Sequence, residues 1–378
     1  MITAATLQKQ DTTTGSAVLY MALELGNTKW KVGFSNGEKI RQVTTAARDL
    51  GELEDEIEKA RERFCLKDDV QIVSCYEAGR DGFWIHRYLT DRGIENLVVD
   101  SSSIEVNRRS RRAKTDRLDL RSLVRMLIRY CGGERGLWSV VQEPSVEDED
   151  ARRLHRELER LKKERTSHRS RIRSLLILHG IVLKEWRDFP ECLGLLKTGD
   201  GHLLPPGIKS EIEREFFRMK FLEQQIKELE AEQMERIQNP QTESDKKIKA
   251  LIELCGIGVK SAWVFVMEFL GWRKFKNRRQ LASLAGLSPT PYDSGGSCRE
   301  QGISKAGNRR VRSMLIEISW IWLRYQPRSR LSLWFNKRFA NGGKRMRRIG
   351  IVAVARKLLI AMWKMLEYGE IPEGAIVK

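Results

Sequence analysis

The chain has 378 residues, too many for one ordinary hydrophobic core, so two or three domains are expected. Its 69 Lys and Arg residues against 51 Asp and Glu give a net charge of +18, which indicates a polyanionic partner, with nucleic acid as the first expectation. No apolar run approaches the roughly 20 residues that cross a bilayer, so an ordinary transmembrane protein is excluded and no membrane partner is expected.

The first 16 residues lack the charged and apolar regions of a signal peptide, so we expect a flexible N-terminus over residues 1–16 and a cytoplasmic protein. The six cysteines are scattered without a CxxC pair, and the chain has only five His. This composition favours neither a zinc site nor a disulfide framework. A metal would then have carboxylate ligands, which indicates Mg2+ or Mn2+.

Residues 17–140 are predicted to form one α/β domain. Short apolar or alternating runs separated by turns predict a three-stranded antiparallel meander, and two further strands, each preceded by a helix, imply parallel pairing. The predicted segments are Ala17–Leu25, Lys29–Phe34, Lys39–Thr44, Leu50–Phe64, Val70–Cys75, Gly82–Leu89 and Asn96–Asp100. Three antiparallel strands followed by α/β units are the order of the ribonuclease-H-like fold.

Four acids in this domain are candidate metal ligands. Asp116 and Asp119 stand three residues apart at the start of a helical segment, which puts both on one face. Glu24 lies near the end of the first strand and Glu77 just past the end of the fourth, where open α/β sheets bind ligands. The alternatives are helix-dipole stabilisation for the Asp pair, solvent exposure for Glu24 and a helix cap for Glu77. The predicted buried stripe of the helix is Leu118, Leu120, Leu123, Val124 and Leu127.

Carboxylates that converge on one sheet edge need cations between them, or some must stay protonated. Two divalent ions about 3.5 to 4 Å apart would neutralise them and serve phosphoryl transfer. The sequence therefore predicts an Mg2+ or Mn2+ site made by Glu24, Glu77, Asp116 and Asp119.

Residues 141–240 are predicted to form a long antiparallel coiled-coil arm. Apolar residues follow alternating steps of four and three in its first helix, and Arg165 and His168 occupy two of the apolar slots. A second helix is predicted over 209–237, after a break at 204–207. The predicted seam residues are Leu154, Leu158, Leu161, Ile172, Leu175, Ile212, Phe216, Met219, Leu222, Ile226 and Leu229. The charged faces are open to two interpretations, a nucleic-acid surface or a solvated face beside a dimer or intramolecular seam.

Residues 241–378 are predicted to form a helical C-terminal domain. Gly256 and Gly258 separate two apolar helices, which resembles a helix-hairpin-helix element that presents N–H groups to a phosphate, although an ordinary αα-hairpin is the alternative. Ser294 follows Asp293 and precedes two glycines that would let a phosphate approach, and a plain turn serine is the alternative. Ser297 is the rival nucleophile.

The segment from 299 to 357 carries most of the chain's positive charge, because its 16 Lys and Arg face only two acids and leave a net +14. Aromatic residues interleave with these cations, but on helices aromatics usually belong to the core. The predicted nucleic-acid contacts, including a basic run before Asp116, are Arg108, Arg109, Arg111, Arg112, Lys114, Gly256, Gly258, Lys305, Arg309, Arg310, Arg312, Lys344, Arg345, Arg347 and Arg348.

Several of these segments resemble the DEDD transposase family of bacterial insertion sequences, whose N-terminal domain is similar to RuvC Holliday-junction resolvases. The N-terminal matches are Leu23–Lys29 (LELGNTK), Tyr76–Gly79 (YEAG) and Ala113–Asp119 (AKTDRLD). The C-terminal matches are RRQLASLAGLSP and DSGGSCREQGISKAGNRRVRSML, within residues 278–315. The chain departs from the family at its first acid, where Glu24 stands in place of Asp.

The resemblance implies a DNA transposase or site-specific recombinase with Ser294 as nucleophile. It also implies a guide (bridge) RNA encoded by the element, donor and target DNA as partners, and a nucleoid-associated homo-oligomer, dimer or tetramer. In that oligomer the carboxylates of one subunit act with the serine of another. Two alternatives stay open, a metal-dependent junction resolvase that uses water as nucleophile and an inactive relative that only binds nucleic acid.

Overall fold

The computed structural model describes residues 17–104, 116–183, 186, 189, 191–294 and 297–378. The predicted flexible N-terminus and the predicted contacts Arg108, Arg109, Arg111, Arg112 and Lys114 lie outside these ranges. The chain divides into two compact units on either side of the bond between Glu143 and Pro144, while the predicted domain boundaries stay a prediction. Within the described ranges, none of the helices combines the length and apolar composition that a bilayer crossing requires.

The first unit is built on a five-stranded mixed sheet. Its strands are β1 (Val18–Leu25), β2 (Lys29–Ser35), β3 (Ile40–Ala46), β4 (Gln71–Glu77) and β5 (Glu95–Val99). β1, β2 and β3 pair antiparallel, whereas β4 pairs parallel with both β1 and β5. The order β3-β2-β1-β4-β5 puts β1 at the centre and confirms the predicted meander and the predicted parallel pairs.

Helices cover both faces of this sheet. They are α1 (Leu50–Arg63), α2 (Trp84–Asp91) and α3 (Asp116–Cys131). Leu19, Met21 and Leu23 of β1 share a core with α1 and α2, while the alternate residue Ala22 shares a core with α3. The predicted stripe of α3 is buried except at Leu118, which is 50 % exposed, so that position was predicted wrongly. Leu118 lies two residues before Leu120, about 200° around the helix, and therefore faces outward.

The second unit begins with α4 (Val146–Ala151) and two long helices, α5 (Arg153–Ile177) and α6 (Pro206–Gln238). Lys162 of α5 pairs with Glu230 of α6, and Arg171 of α5 pairs with Glu211 of α6. Residue numbers therefore increase along α5 in the direction in which they decrease along α6, so the two helices run in opposite directions. This confirms two long antiparallel helices. The α6 helix begins at Pro206, earlier than predicted, because proline at the first helical position needs no N–H partner and has a fixed helical φ.

The rest of the second unit packs around a helical core. Its elements are α7 (Glu243–Glu253), α8 (Val259–Phe265) with a π-helical turn (Val266–Leu270), α9 (Arg278–Leu284), β6 (Pro289–Ser294), β7 (Ser297–Ile303), α10 (Arg309–Tyr325), α11 (Arg330–Phe335) and α12 (Lys344–Tyr368). The core includes Trp263, Phe269 and Trp322. The β6–β7 hairpin contradicts the prediction of a purely helical domain, because Pro289 and Pro291 disfavour a helix and the Gly-Gly pair in the sequence between the strands favours a turn.

Candidate active site and nucleic-acid interface

A cleft of about 500 Å³ opens in the first unit at the edge where β1 and β4 end. Three of the four predicted acids, Glu24, Glu77 and Asp119, line it. The other lining residues are Leu23, Leu25, Gly26, Asn27, Tyr76, Ala78, Gly79, Arg80, Asp81, Ser101, Leu120 and Leu123. We call this the carboxylate cleft. Its acids Glu24 and Asp119 are 95 positions apart in the sequence.

The two glutamates reach the cleft because they occupy neighbouring positions on paired strands and their side chains point to the same face of the sheet. Leu23 of β1 lies beside Tyr76 of β4 in the parallel register, so Glu24 and Glu77 are the next residues on the two neighbouring strands. Each follows a residue of the α1 and α2 core and therefore faces the α3 side of the sheet. Glu77 is the last residue of β4, because the strand continues two residues beyond its predicted end at Cys75.

Asp119 reaches the cleft because α3 lies unusually close to β2. A Cβ atom on Gly33 would stand 2.8 Å from Val124 Cγ2 and 3.2 Å from Leu120 Cγ, so only glycine leaves room for the helix. Leu120, Leu123 and Val124 are buried against the sheet and fix the rotation of α3. Asp119, which precedes Leu120, is thereby held at the rim of the cleft.

Two cleft residues were missed by the sequence analysis. Asp81 adds a further carboxylate, and its oxygens pair with Arg48 at 3.5 Å and with Arg80 at 3.3 Å. The signal was present, because Arg80 and Asp81 directly follow the Glu-Ala-Gly segment that begins at Glu77. Asp81 therefore already has two cationic partners within the chain, and one of them, Arg80, also lines the cleft.

The donors in the carboxylate cleft suit a hard cation, since they are oxygen atoms of acids, an amide and a hydroxyl. Burial raises the pKa of the nearby Cys75 thiol, with further increases from Cys131 and Glu77. Among the described side chains, no three His, Cys, Asp or Glu groups stand together in a metal-binding arrangement. Asp116, the fourth predicted acid, is the first residue of α3, and its side chain lies outside the description.

The serine candidates lie at the tip of the β6–β7 hairpin in the second unit. Ser294 ends β6 and Ser297 begins β7, and the two are register partners across the hairpin. Residues 295–296 and the side chains of 292–300 lie outside the description. The backbone therefore places both serines at the same point and does not choose between them.

The loop after the hairpin is held by close backbone contacts. A Cβ atom on Gly286 would lie 2.0 Å from Ala306 O, and one on Gly307 would lie 2.1 Å from Leu284 O. Lys305 has a positive φ of 56°, which is costly for a residue other than glycine. Asn308 caps α10 by accepting from the N–H groups of Arg310 and Val311. The Gly-Ile-Ser-Lys segment is thus a rigid support for the hairpin and for the start of α10.

The glycine turn between α7 and α8 uses most of its N–H groups internally. Gly256 has a φ of 94°, which requires glycine there. The N–H of Gly258 donates to Ser261 Oγ at 3.1 Å, and the N–H of Ile257 donates to Leu254 O at 3.0 Å. A phosphate at this turn would therefore compete with existing hydrogen bonds.

The predicted basic contacts differ in how far they are engaged. Arg309 is exposed in the first turn of α10, whereas Arg310 forms an ion pair with Glu159 of α5. Arg312 is partly buried and donates to Ala285 O at 3.3 Å. The remaining four cations, Lys344, Arg345, Arg347 and Arg348, are exposed in the first turns of α12.

A buried ionic network joins the base of α5 to the π-helical turn. Glu268 is 3 % exposed, accepts two hydrogen bonds from Arg156 at 2.7 Å each and lies 3.0 Å from His155 Nε2. Burial alone would raise the pKa of Glu268, but the hydrogen bonds from Arg156 and His155 outweigh it and lower the pKa to about 2. Asn308 donates to the carbonyl oxygen of Glu268, so the network reaches the cap of α10.

Comparison with known proteins gives consistent matches. Residues 248–332 match the family described as "Transposase IS116/IS110/IS902 family". The chain is 41 % identical over 377 residues to "Putative transposase y4rJ" of Sinorhizobium fredii, covering 95 % of this chain and 94 % of the relative. It is 25 % identical over 284 residues to the "Transposase for insertion sequence element IS1111A" of Coxiella burnetii, covering 74 % of each chain. It is also 25 % identical to the "Transposase for insertion sequence element IS1328" of Yersinia enterocolitica, over 60 % of this chain and 66 % of the relative.

Proposed function

Because the chain belongs to the IS116/IS110/IS902 family of transposases, we propose that it cuts and rejoins DNA by phosphoryl transfer at the carboxylate cleft, with Ser294 as nucleophile. The observation that carries the proposal is the meeting of Glu24, Glu77 and Asp119 in one cleft at the end of β1 and β4. Acids from two strands and a helix that line one cleft are the type of side chain that a cation-assisted phosphoryl-transfer site uses.

Glu24, Glu77, Asp116 and Asp119 would hold Mg2+ or Mn2+, which when bound would neutralise the acids and stabilise charge that develops on the phosphate. The oxygen-only donor set supports this choice of metal, and Asp116 is the residue that completes it. Asp119 and Asp116, one helical turn apart on α3, would present both carboxylates from a single rigid element.

In the proposed reaction, Ser294 Oγ forms a bond to the phosphorus of a DNA phosphodiester, and the bond from phosphorus to one sugar oxygen breaks. The serine loses its proton to a carboxylate of the cleft, and the departing sugar oxygen takes up a proton to become a hydroxyl group. The phosphoserine link keeps the energy of the broken bond, so a hydroxyl group of a second strand can displace the serine and rejoin the DNA.

Further parts of the proposal follow from the family. The sheet order of the first unit supports a ribonuclease-H-like domain, and the antiparallel α5 and α6 support a coiled-coil arm. The glycine turn at 256–258 is proposed as the helix-hairpin-helix element. Donor and target DNA, a guide RNA, a dimer or tetramer and a cytoplasmic, nucleoid-associated location complete the proposal.

Trapping of a covalent adduct tests the nucleophile. The chain is incubated with Mg2+ and end-labelled DNA from the termini of its own insertion element, and the products are separated by denaturing electrophoresis. We expect a labelled protein band that is absent in Ser294→Ala and in Asp119→Asn, while both variants still bind the DNA. Ser283→Ala, an exposed serine in α9, is the matched control and should form the band normally.

Three results would contradict parts of the proposal. A band that persists in Ser294→Ala and disappears in Ser297→Ala would transfer the role of nucleophile to Ser297. Cleavage without any adduct would indicate water as the nucleophile, as in a junction resolvase. Full cleavage in the presence of a chelator would remove the metal from the proposal.

A further inference from the structure

A second, larger cavity lies wholly within the second unit, at the base of the two long helices. It has a volume of about 860 Å³ and is formed by α5, α6, α8 and α10. Its lining residues include Leu158, Gln233, Lys260, Trp263, Arg309 and Met314. We call this the arm-base cavity. Its size falls within the range of about 300 to 1,000 Å³ that is usual for pockets that bind small organic groups.

Gln233 is the most informative residue of the arm-base cavity. It lies on α6, is only 3 % exposed and lines the cavity. Within the described part of the chain, its amide forms no hydrogen bond. Gln233 is not among the fully enclosed polar atoms that lack a partner, so its amide opens into the cavity, where a ligand can supply a donor and an acceptor.

The cations around the cavity fall into two groups. Lys162 pairs with Glu230 at 2.6 Å, and Arg310 pairs with Glu159. Lys260 and Arg309 have no ion pair among the described residues. Two unpaired cations at the rim of a pocket with a buried amide fit a ligand that carries both phosphates and a flat polar group.

The inner wall is apolar and aromatic. Leu158 and Trp263 are buried, and Met314 is partly buried beside them. A smaller cavity of about 490 Å³ adjoins the arm-base cavity, since both are lined by Lys260, Met314 and Glu317. The smaller cavity extends to the glycine turn at 256–258. A polynucleotide backbone could follow this surface from the glycine turn past Lys260 while a base entered the deeper cavity.

We propose that the arm-base cavity accepts one unpaired nucleotide that is turned out of the bound nucleic acid. The base contacts Leu158, Trp263 and Met314, and its edge exchanges hydrogen bonds with the Gln233 amide, while Lys260 and Arg309 bind the flanking phosphates. The inference rests on the proposed function only in taking nucleic acid as the partner, and it is independent of the carboxylate cleft and of the serine. DNA and RNA share this chemistry, and the experiment separates them.

The test compares hairpin probes that carry a one-nucleotide bulge with identical probes whose bulged position is abasic. Affinities are measured by fluorescence anisotropy with the full chain, for DNA and RNA hairpins and for each of the four bases. We expect tighter binding of base-containing probes in at least one of the two series, and the series that shows it identifies the polymer. In Gln233→Leu this preference should fall about tenfold, because a bidentate amide contact to a base is lost.

Two further variants keep the result interpretable. Gln238→Leu makes the same change at an exposed position of α6 and should keep the full preference. Ser313→Trp places a large side chain at an exposed position of the cavity rim and should remove the preference without burying a new polar group. Thermal unfolding of each variant verifies that the chain is folded.

Equal affinity of the unaltered chain for base-containing and abasic probes would overturn the inference. An unchanged preference in both Gln233→Leu and Ser313→Trp would also overturn it. Either result leaves the proposed transposase chemistry intact, because that is read from the covalent adduct. A chain that binds none of the probes at any salt concentration would instead contradict nucleic-acid binding itself, and with it the proposed function.

Discussion

The resemblance to the DEDD transposases implies an aspartate at position 24, and this chain has glutamate there, whose side chain is one methylene longer. The residue stands beside Glu77 at the ends of two parallel strands, so its backbone position is fixed by the register of β1 and β4. An extra methylene moves a carboxylate by roughly 1 Å or more, which is large compared with the tolerance of about 0.5 Å expected at a catalytic site. The cleft must therefore accommodate a side chain on β1 that is longer than aspartate.

Substitution of Glu24 tests this reach. We expect Glu24→Asp to retain or raise the rate of DNA cleavage, because the family geometry is restored, and Glu24→Ala to lose cleavage. The measurement is single-turnover cleavage as a function of Mg2+ concentration, with Glu38→Ala, an exposed acid in a turn, as control. If Glu24→Asp fails as badly as Glu24→Ala, the cleft has adapted to glutamate, and if Glu24→Ala cleaves normally, Glu24 is no ligand.

At the residue scale, local periodicity was enough to predict three cleft acids. Glu24 and Glu77 were predicted from their places at the ends of two strands, and Asp119 from its three-residue spacing after Asp116 at the start of a helix; all three line the cleft. Gln233 and Glu268 could not be predicted in this way. Glu268 bonds to Arg156, 112 positions away, and contacts of that separation leave no local pattern in the sequence.

At the element scale, Glu268 ties α5 to the π-helical turn, and its titration gives a pH prediction. The folded-state pKa of about 2 is below the ordinary value of 4.5, so the network stabilises the fold fully above about pH 4.5 and loses this contribution as pH falls toward 2. The linkage corresponds to roughly 3 kcal/mol. We therefore expect Glu268→Gln to lower the free energy of unfolding at pH 7, with the deficit shrinking between pH 4.5 and pH 3.

Urea unfolding of Glu268→Gln and the unaltered chain at pH 7, 5, 4 and 3 provides the measurement. Glu164→Gln removes an exposed ion pair with Arg160 and should change the free energy of unfolding by less than about 1 kcal/mol. A deficit for Glu268→Gln that stays constant down to pH 3 would contradict the lowered pKa.

The first turns of α12 carry four exposed cations at the end of a helix that favours anions. The helix dipole is positive at this end, and the N-cap residue is Gly343, which offers no side-chain cap. Arg345 and its neighbours therefore destabilise α12 slightly, which suits a surface that is completed by the phosphates of a ligand. The apolar spacing of the last segment predicts a final helix over Ile349–Tyr368, and this prediction misses the first turns of α12, because charged residues before an apolar stripe show no periodicity of their own.

Charge reversal at Arg345 should separate stability from binding. We expect Arg345→Glu to raise the free energy of unfolding by about 1 kcal/mol at low salt while weakening DNA binding and flattening the slope of log affinity against log salt by about one. Lys364→Glu, near the other end of α12, should lower stability, since it replaces the ion pair between Lys364 and Glu370 with two like charges. A less stable Arg345→Glu, or an unchanged salt slope, would place the nucleic-acid surface elsewhere.

At the scale of the whole molecule, the two halves of the proposed chemistry lie in different units. The carboxylate cleft belongs to the unit before Pro144, and the serine hairpin belongs to the unit after it. The sequence predicted both halves through separate motifs, yet which subunit's hairpin serves which cleft depends on assembly, and no pattern within one chain encodes that. Complementation between subunits measures it.

Asp119→Asn and Ser294→Ala should each be inactive alone, but an equal mixture of the two should regain strand exchange if each site combines the cleft of one subunit with the serine of another. In a mixed dimer, one site joins the intact cleft of the Ser294→Ala chain to the intact serine of the Asp119→Asn chain, and the other site has neither. With half the dimers mixed and one good site in each, activity should return to about one quarter of the unaltered level in a symmetric dimer. The background is the activity of a chain that carries both Asp119→Asn and Ser294→Ala, mixed with an equal amount of one of the single variants. Activity no higher than that background, under conditions where subunits exchange, would show that cleft and serine of one chain act together.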